Sequence, residues 1–552
     1  MPLAREVVHA AAVEHGVCVR PLPVRRVDVI SGESAVVPVP CGATLASKCP
    51  SCAERARRLR MAQCREGWHL DVEPLPDPDV PDAEMKALAE IRADLQAALY
   101  AARQQHDTQG TAELTEAIDG VEELLAEEGV RGSMAPGRAE GRRCRSTRRR
   151  QDAPDLPRRR VEPRTVGRTF TAADGTVWRP STFLTLTCDS YGRVHDDGTP
   201  ADPAGYDYRR AARDALHFPA LVDRFWQNLR RVVGYEVQYF AAVEPQKRLA
   251  PHLHAAVRGP ITRTVLRQVV AATYHQVWWP PHDEPTYAPG GYPVWDAAAE
   301  AYVDPASGEL LPSWDAALDA IGEDDPPAHV VRFGPQVQVD GVVGGSDNAQ
   351  RCIGYLTKYL TKGLDECHTA DTPSRQAHLD RMADALRYEP CSPRCANWLA
   401  YGVQPQHVRP GLTPGHCKGK AHRRQTLGFG GRRVLVSRKW SGKNLADHRA
   451  DRRAYVLATL GAVLTRTGDP GPDGTPQPVE VSAVEAAERY AWELLKPDDP
   501  DAPPRTHLVL HALAERIAWR AQYQAAKALA EGTAEIPSRT GGELTAVERG
   551  AA

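Results

Sequence analysis

Apolar and polar residues change their spacing along the chain, and these changes predict a fold that mixes strands with helices. The segments YEVQYFAAVEP and PHLHAAV have the short, apolar-rich composition of β-strands, and the turn QKRLAP joins them. Downstream the spacing becomes helical, with Asp347 or Asn348 as the predicted N-cap and Gly363 as the predicted end. The predicted core-facing side of this helix consists of Cys352, Ile353, Leu356, Leu360 and Leu364.

Other regions differ in composition as well as in spacing. Residues 81–129 are rich in Ala, Leu and Glu and predict two acidic helices, and the region beyond Pro478 predicts a helical tail. A polar, acidic stretch at about residues 280–327 interrupts the strand-rich part of the chain. With 552 residues the chain is too long for one ordinary core, so we expect two to four domains.

The charges are segregated although their sum is small. The net charge is -2, yet residues 138–168 contain 12 arginines and 4 acidic residues, which predicts a mobile basic linker. This linker is either a solubilising hinge or a contact for phosphate groups. A second basic run, LGFGGRRVLVSRKWSGK, begins at Leu427 and is the predicted DNA-binding segment. Its candidate residues are Arg432, Arg433, Arg438 and Lys439.

Membrane association is not expected from this sequence. No apolar run approaches the roughly 18 to 20 residues that a membrane span needs. The N-terminal segment MPLAREVVHAAAVEHG contains acids and histidines where a signal peptide has its apolar core. We therefore expect the protein in the cytoplasm, without a membrane partner.

The phrase YLTK occurs twice in succession, from Tyr355 to Lys362, on the predicted helix. At 100° per residue Tyr359 falls about 40° from Tyr355, and Lys358 and Lys362 lie within about 60° of it. Two tyrosines and two lysines thus form one stripe opposite the core-facing side. The stripe is either an ordinary surface of amphipathic side chains or a pair of nucleophiles, because a neighbouring ammonium group stabilises phenolate and binds phosphate.

A pair of histidines provides candidate metal ligands. On a strand His252 and His254 face the same side, which allows two imidazoles to share one cation. Roughly 0.65 such pairs are expected by chance from 19 histidines, so the surroundings matter. The turn before them brings Glu244 back beside His252, and a carboxylate suits a hard divalent ion such as Mg²⁺ or Mn²⁺.

Cysteines form two further candidate metal sites. In a cytoplasmic chain with 12 cysteines, bound metal is expected more than disulfides. The first set is Cys41, Cys49 and Cys52, with Cys18 or Cys64 as the fourth ligand. The second set is Cys391, Cys395, Cys417 and His422, with His416 as the competing histidine. Sets of four ligands predict structural zinc, about two ions in total, while Cys144, Cys188, Cys352 and Cys367 are predicted to be plain thiols.

Three motifs resemble those of the HUH endonucleases that start rolling-circle replication. They are FLTLTCDSYG, PHLHAAV and YLTKYLTK, in that order, and the paired tyrosines are similar to the two-tyrosine branch. The segments VCVRPLPVR, CPSCAE, EPQKR, CANWLAYGVQP and RRVLVSRKWSGKNLADHRADR resemble replication initiators of actinobacterial plasmids and integrative conjugative elements. The resemblance covers most of the chain, and is weakest over residues 76–166 and after about residue 478.

This resemblance implies a fold, a reaction and partners. The fold is α+β, with a ferredoxin-like antiparallel sheet, helices on one face, the metal on the central strands and the tyrosine helix alongside. The reaction is attack of Tyr355 or Tyr359 on origin DNA, single-stranded or in an extruded hairpin, aided by the metal at His252, His254 and Glu244. A 5′-phosphotyrosine and a 3′-hydroxyl for a host polymerase result. The resemblance also favours Cys18 as the fourth zinc ligand.

Alternatives remain at this stage. A two-tyrosine single-strand transposase shares the motif order, and a non-enzymatic zinc-containing DNA-binding regulator explains the basic runs and cysteines but not the Tyr and His pairs. A conjugative relaxase fits less well, because its tyrosine precedes its histidines. Since no G-x4-G-K-[ST] phosphate loop occurs, a separate host helicase is expected to unwind the DNA.

The expected domain organisation follows from these assignments. Residues 1–75 form an N-terminal zinc-binding module, and residues 76–166 comprise the acidic helices and the basic linker. Residues 167–370 form the endonuclease domain with the acidic insertion at about 280–327. Residues 380–445 form a second zinc-binding and DNA-binding region, and residues 446–552 a helical C-terminal region.

Overall fold

The computed structural model describes most of the chain outside three long segments, residues 126–154, 453–489 and 531–552. The described residues are 4–70, 73–74, 83–105, 107, 110–111, 114–115, 117–118, 121–122, 125, 155–167, 169–175, 177–322, 324–358, 360–361, 372–443, 445, 447–452, 490–495 and 499–530. The predicted sites at Tyr359 and Lys362, and the thiols Cys144 and Cys367, lie outside these residues. The chain divides into two compact units, residues 74–150 and the remainder.

Helices are distributed along the whole described chain. The α-helices are α1 (Ala4–Glu14), α2 (Pro50–Trp68), α3 (Ala83–Gln104), α4 (Tyr208–Val233), α5 (Arg263–Ala272), α6 (Trp314–Asp319), α7 (Asp347–Lys358), α8 (Pro373–Tyr388) and α9 (Arg505–Ala530). Short 3₁₀ turns lie at Ala396–Tyr401, Lys420–His422 and Arg424–Thr426. No helix among the described residues is long and apolar enough to cross a membrane.

The strands form one large sheet and three smaller ones within the described residues. They are β1 (Leu22–Asp28), β2 (Ser34–Val39), β3 (Phe170–Thr171), β4 (Val177–Trp178), β5 (Pro180–Cys188), β6 (Tyr239–Pro245), β7 (Pro251–Val257), β8 (Tyr274–Val277), β9 (Val294–Asp296), β10 (Ala301–Val303), β11 (His329–Val343), β12 (Val434–Val436) and β13 (Tyr490–Leu494). In the large sheet the order is β12-β6-β7-β5-β11-β8, and every neighbouring pair is antiparallel. This confirms the predicted α+β class with an antiparallel sheet.

Helices cover both faces of the large sheet, where the sequence led us to expect them on one. On the first face, which we call the packing face, Leu184, Leu186 and Leu253 pack against α4 and its neighbours. On the opposite face, which we call the site face, Phe183 and Ala256 pack with residues of α2 and α7. The alternation of side chains along each strand produces this division.

Helix α7 contains the first tyrosine of the doubled phrase. Its N-cap is Ser346, whose Oγ accepts a hydrogen bond from the backbone N–H of Ala349 at 3.2 Å, so the predicted caps Asp347 and Asn348 are wrong. As predicted, Ile353 and Leu356 are buried on its inner side. The described helix ends at Lys358, before the predicted end at Gly363.

The N-terminal and C-terminal parts of the described chain share a sheet. Strand β1 pairs with β2 on one side and with β13 on the other, with Val24 opposite Leu494. Helix α9 contacts α1, and Val509 lies in the cluster of buried residues around Cys18 and Cys49. The predicted helical tail therefore contains a strand as well as a helix.

Residues 74–150 form the second compact unit. Helix α3 is the first of the two acidic helices that the sequence predicts. In this unit the Nε of Arg92 pairs with the carboxylate of Glu122 at 3.2 Å. Most of the predicted basic linker lies outside the described residues.

Candidate active site and metal centres

Two histidines and two threonines face each other across the central strands β7 and β5. The register places His252 opposite Thr187 and His254 opposite Thr185. Nδ1 of His252 is 2.6 Å from Oγ1 of Thr187, and Nδ1 of His254 is 2.9 Å from Oγ1 of Thr185. Both imidazoles are more than nine-tenths buried. Because each Nδ1 is engaged by a hydroxyl, the Nε2 atoms are the ones left for a ligand.

The hydroxyl of Tyr355 reaches this histidine pair from helix α7. Its oxygen lies 3.2 Å from Nε2 of His254, and the two rings meet edge to face with centroids 4.7 Å apart. Phe183 on β5 packs against the tyrosine ring at 6.3 Å, also edge to face. The side chain of Tyr355 is 44% exposed, so the phenol is held at one end and open to a large ligand.

Glu244 completes the cluster from strand β6. It lies opposite His252 in the register, as the turn predicts, and its Oε1 is 3.2 Å from Nε2 of His254. Two imidazoles and a carboxylate form a suitable donor set for Mn²⁺ or Mg²⁺. Within the described residues, the ligand atoms of these three side chains do not all lie within 4.8 Å of one another. The side chains must therefore move closer together to bind one ion.

Burial keeps His252 uncharged over the physiological range. Desolvation, with smaller effects from His254 and Arg248, lowers the pKa of His252 from 6.5 to about 3. A neutral imidazole retains the lone pair that a metal ion or a proton donor requires. His252 therefore stays neutral at acid pH values where an ordinary histidine is protonated.

The described residues include only part of the predicted stripe of tyrosines and lysines. Lys358, the last residue of α7, is exposed. Tyr359 and Lys362 lie outside the described residues, so their part of the predicted stripe stays a prediction.

The first cysteine cluster consists of Cys18, Cys41, Cys49 and Cys52, whose sulfurs all lie within 4.8 Å of one another. The Sγ–Sγ distances Cys41–Cys52 and Cys18–Cys49 are both 3.8 Å. A tetrahedral zinc ion with Zn–S bonds of about 2.3 Å separates its sulfurs by about 3.8 Å, so these distances fit zinc. Cys64, the competing ligand, is instead buried against Trp440. The choice of Cys18 agrees with the structure.

Within the first cluster Cys18 is the thiol that favours the thiolate form, whereas burial raises the pKa of Cys41 and the hydrogen bond with Cys18 raises the pKa of Cys52. Backbone N–H groups of Arg20 and Cys41 donate to Sγ of Cys18 at 3.4 and 3.3 Å. The hydrogen bond from Cys52, together with these donors, lowers the pKa of Cys18 to about 5 against the opposing effect of burial. A thiolate at neutral pH is the form that binds metal.

The second cluster consists of Cys391, Cys395, Cys417 and His422, again within 4.8 Å. Sγ of Cys395 is 3.5 Å from Nε2 of His422, close to the roughly 3.5 Å that tetrahedral zinc imposes on a sulfur–nitrogen pair. Nδ1 of His422 lies 2.8 Å from the carbonyl oxygen of Leu386, which directs Nε2 towards the sulfurs. Thus His422, and not His416, belongs to the cluster.

A third group of possible ligands contains its own cation. Glu66, His448 and Asp451 lie within 4.8 Å of one another. Nζ of Lys443 is 2.8 Å from both carboxylates, and Nδ1 of His448 is 3.2 Å from Glu66. The lysine thus neutralises the acidic pair and links the segment after β12 to helix α2.

The predicted DNA-binding residues surround the edge strand β12. Arg432 and Arg438 are exposed, and Arg433 is partly buried. Nζ of Lys439 lies 2.9 Å from a carboxylate oxygen of Glu236, so part of its charge is already neutralised.

A comparison of the sequence with family models shows the family of this chain. A family model described as RepSA, replication initiator protein, pSAM2, matches residues 4–515. The chain belongs to this family of replication initiators. The comparison with curated proteins and the search of solved structures each found no match. The matched range of this plasmid replication initiator runs from α1 into α9, and so includes the candidate active site and both cysteine clusters.

Sequence reasoning missed several residues of the initiator's site. Thr185 and Thr187 lie in the motif FLTLTCDSYG, but the sequence did not suggest a role for them at the site, although their spacing repeats that of the two histidines opposite them. Phe183, which packs under the tyrosine, was missed as well. Arg258 is almost fully buried, and its guanidinium donates to the carbonyl oxygen of Gly67 at 2.6 Å. The T-x-T alternation on a predicted strand was the available signal; nothing local marked Arg258.

Proposed function

We propose that this initiator is a tyrosine endonuclease of the HUH type that nicks one strand of its origin. The observation that carries the proposal is the convergence on one sheet face of a phenol, two imidazoles and a carboxylate. The Tyr355 hydroxyl and the Glu244 carboxylate are each 3.2 Å from the same nitrogen, Nε2 of His254. Nucleophile and candidate metal ligands thus lie within one phosphate group's reach.

The proposed reaction is a transesterification, in which one phosphate ester bond forms as another breaks. Oη of Tyr355 attacks the scissile phosphorus, the Oη–P bond forms, and the bond from phosphorus to the 3′ oxygen breaks. The phenol loses its proton, and the departing oxygen gains one and becomes a 3′-hydroxyl. A Mg²⁺ or Mn²⁺ ion bound by His252, His254 and Glu244 would withdraw charge from the phosphate.

The protein's own groups position the reactants. Until an ion occupies Nε2 of His254, this nitrogen is within hydrogen-bond distance of the phenol, and Phe183 restricts the ring from the side. The open edge of Tyr355 leaves room for the DNA strand. The free 3′-hydroxyl would then prime synthesis by a host polymerase, with a separate host helicase unwinding the template.

Tyr359 is the proposed second nucleophile. The sequence predicts that Tyr355 and Tyr359, four residues apart, lie on one side of a helix, and both phenols would then serve the same site in turn. After one round of copying, the second phenol would cut the new junction while the first is still esterified. Lys358 and Lys362 would bind phosphate and stabilise phenolate.

The decisive experiment uses labelled single-stranded origin oligonucleotides with Mg²⁺ or Mn²⁺. We expect a covalent protein–DNA adduct with the wild type and with each of Tyr355→Phe and Tyr359→Phe, but none with the double variant. Successive cleavage of two origins should fail in the single variants. A double variant that forms the adduct like the wild type would refute the proposal. Absence of any wild-type adduct, with intact origin binding, would favour a non-enzymatic regulator.

We also propose that each cysteine cluster holds one structural zinc ion. The sulfur–sulfur distances of 3.8 Å and the sulfur–nitrogen distance of 3.5 Å support this. Elemental analysis of purified protein should find two zinc ions per chain. Protein that is folded and free of zinc would show that the clusters are ordinary cysteines.

A further inference from the structure

Helix α2 connects the first cysteine cluster to the helix that bears Tyr355. It begins inside the cluster, with Cys49 as its N-cap and Cys52 in its first turn. Its other half packs against α7, where Cys64 and Trp68 share a buried cluster with Ile353. The metal ligands and the support of the nucleophile helix are therefore parts of one rigid element.

The loop between two of the cysteines also contacts the doubled phrase. The backbone N–H of Ala46 donates to the carbonyl oxygen of Thr361 at 2.6 Å. Ala46 lies between Cys41 and Cys49, and Thr361 follows the end of α7. Near the start of α7, Nε of Arg65 on α2 donates to Oε1 of Gln350 at 3.3 Å. Contacts from this module thus reach both ends of the tyrosine segment.

The far end of α2 is fixed to the strand that carries the histidines. Arg258 directly follows β7, and its guanidinium donates to the carbonyl oxygens of Gly67 and Trp440. Gly67 lies so close to the Trp440 indole that an added Cβ would be 2.2 Å from it. Helix α2 is therefore anchored at this end by Arg258 and Trp440, and its first turn carries cysteine ligands at the other end.

We propose that the first cysteine cluster is a positioning element for Tyr355, so that zinc occupancy sets the rate of phosphate attack. This rests on the proposed function for its chemical consequence. Without zinc, the loop around Ala46 and the first turn of α2 lose their cross-link, and the hydrogen bond to Thr361 is no longer held. A displacement of about 1 Å at a nucleophile is enough to slow a reaction about 100-fold.

The test compares matched ligand variants of the two clusters in the full-length chain. Cys41→Ser removes one ligand from the first cluster, and Cys417→Ser removes one from the second. We expect Cys41→Ser to increase hydrogen exchange in residues 347–361 and to slow adduct formation about 100-fold, with little change in origin affinity. Cys417→Ser should leave exchange in that segment unchanged. Equal effects of the two variants on that segment would refute the proposal.

A second variant removes the contact without touching a zinc ligand. Ala46→Pro has no N–H to donate to Thr361, whereas the control Ala46→Gly keeps it. With two zinc ions still bound, Ala46→Pro should increase exchange and slow the adduct, and Ala46→Gly should do neither. Wild-type exchange in Ala46→Pro would refute the positioning role. Failure of the wild type to form any adduct would instead refute the proposed function, since exchange reports the coupling without catalysis.

Discussion

Leu253 and His254 are neighbours on one strand, yet they belong to opposite faces of the sheet and meet different demands. The leucine packs into the large core beneath α4. The histidine faces α7, where it contacts a phenol, a carboxylate and a hydroxyl. The packing face is mainly apolar along the central strands, whereas the site face combines buried polar groups with the exposed Tyr355. The comparison indicates that stability and chemistry are separable here by substitutions one residue apart.

The largest expected effect separates catalysis from folding on the site face. His254→Ala removes the contact to Tyr355 and one candidate metal ligand, and we expect adduct formation to fall by two to three orders of magnitude. Origin binding, measured by filter retention or anisotropy, should change little, and so should the melting temperature. Retention of full cleavage, even after chelation, would rule out a role for this face.

The neighbouring substitution should produce the opposite pattern. Leu253→Ala creates a cavity in the packing face, and we expect a loss of about 2–5 kcal/mol in the free energy of unfolding. At a temperature where the variant remains folded, its rate of adduct formation should stay near that of the wild type. Urea titrations provide the stability, and oligonucleotide assays the rate. A large rate loss in the folded variant would mean that the two faces are coupled.

A smaller effect is expected from the hydroxyl that orients a histidine. Thr187→Val keeps the shape of the side chain but removes the partner of Nδ1 of His252, so Mn²⁺ affinity should fall about 10- to 100-fold. Thr187→Ser retains the hydroxyl and should retain the affinity. A titration followed by electron paramagnetic resonance of Mn²⁺ measures ion binding independently of DNA cleavage. Equal affinities of the two variants would leave the threonine without an orienting role.

A partly buried histidine on the packing side should affect acid stability. Burial, with Arg224 and His329, lowers the pKa of His275 from 6.5 to about 4. Its neutral form therefore stabilises the fold above pH 6.5, and this contribution is lost as the pH falls towards 4. We expect His275→Gln to recover roughly 1–2 kcal/mol of the stability lost between pH 7 and pH 5. Replacement of the exposed His195 is the control, and identical acid profiles would contradict the assignment.

The smallest expected effects concern the basic residues around the edge strand β12. Exposed Arg432 should contact phosphate, so Arg432→Gln should reduce the salt dependence of DNA binding by about one unit of slope. Lys439→Gln should reduce it less, because Glu236 already pairs with this lysine. A fourfold variant that also replaces Arg433 and Arg438 should show the largest change. An unchanged slope would place the phosphate contacts elsewhere.

Local patterns predicted those features of the molecule that depend on neighbouring residues. The alternation in PHLHAAV gave the strand and the shared face of His252 and His254, and the short turn gave the register with Glu244. Cysteine spacing gave most ligands of both clusters, and the structure agrees with the choice of Cys18 over Cys64 and of His422 over His416.

Features that depend on distant contacts could not be predicted in this way. The position of α2 on α7 depends on contacts between residues some 285 positions apart in the chain, such as the hydrogen bond between the exposed side chains of Arg65 and Gln350. The N-cap was misassigned because Ser, Asp and Asn follow each other at residues 346–348 and all favour that position. The placement of helices on both faces of the sheet likewise depends on tertiary packing, which the local spacing of apolar residues does not encode.

The pairing of β1 with β13 has a consequence for the order of biosynthesis. Ribosomes make Arg25 long before Glu493, yet the two side chains meet at 2.9 Å in the finished sheet. A nascent chain can fold the central sheet, but the three-stranded sheet stays incomplete until residue 494 has left the exit tunnel. A messenger cut short before that point would yield polypeptides whose first strand has an unpaired edge. The initiator can therefore complete its three-stranded sheet only after residue 494 has been translated.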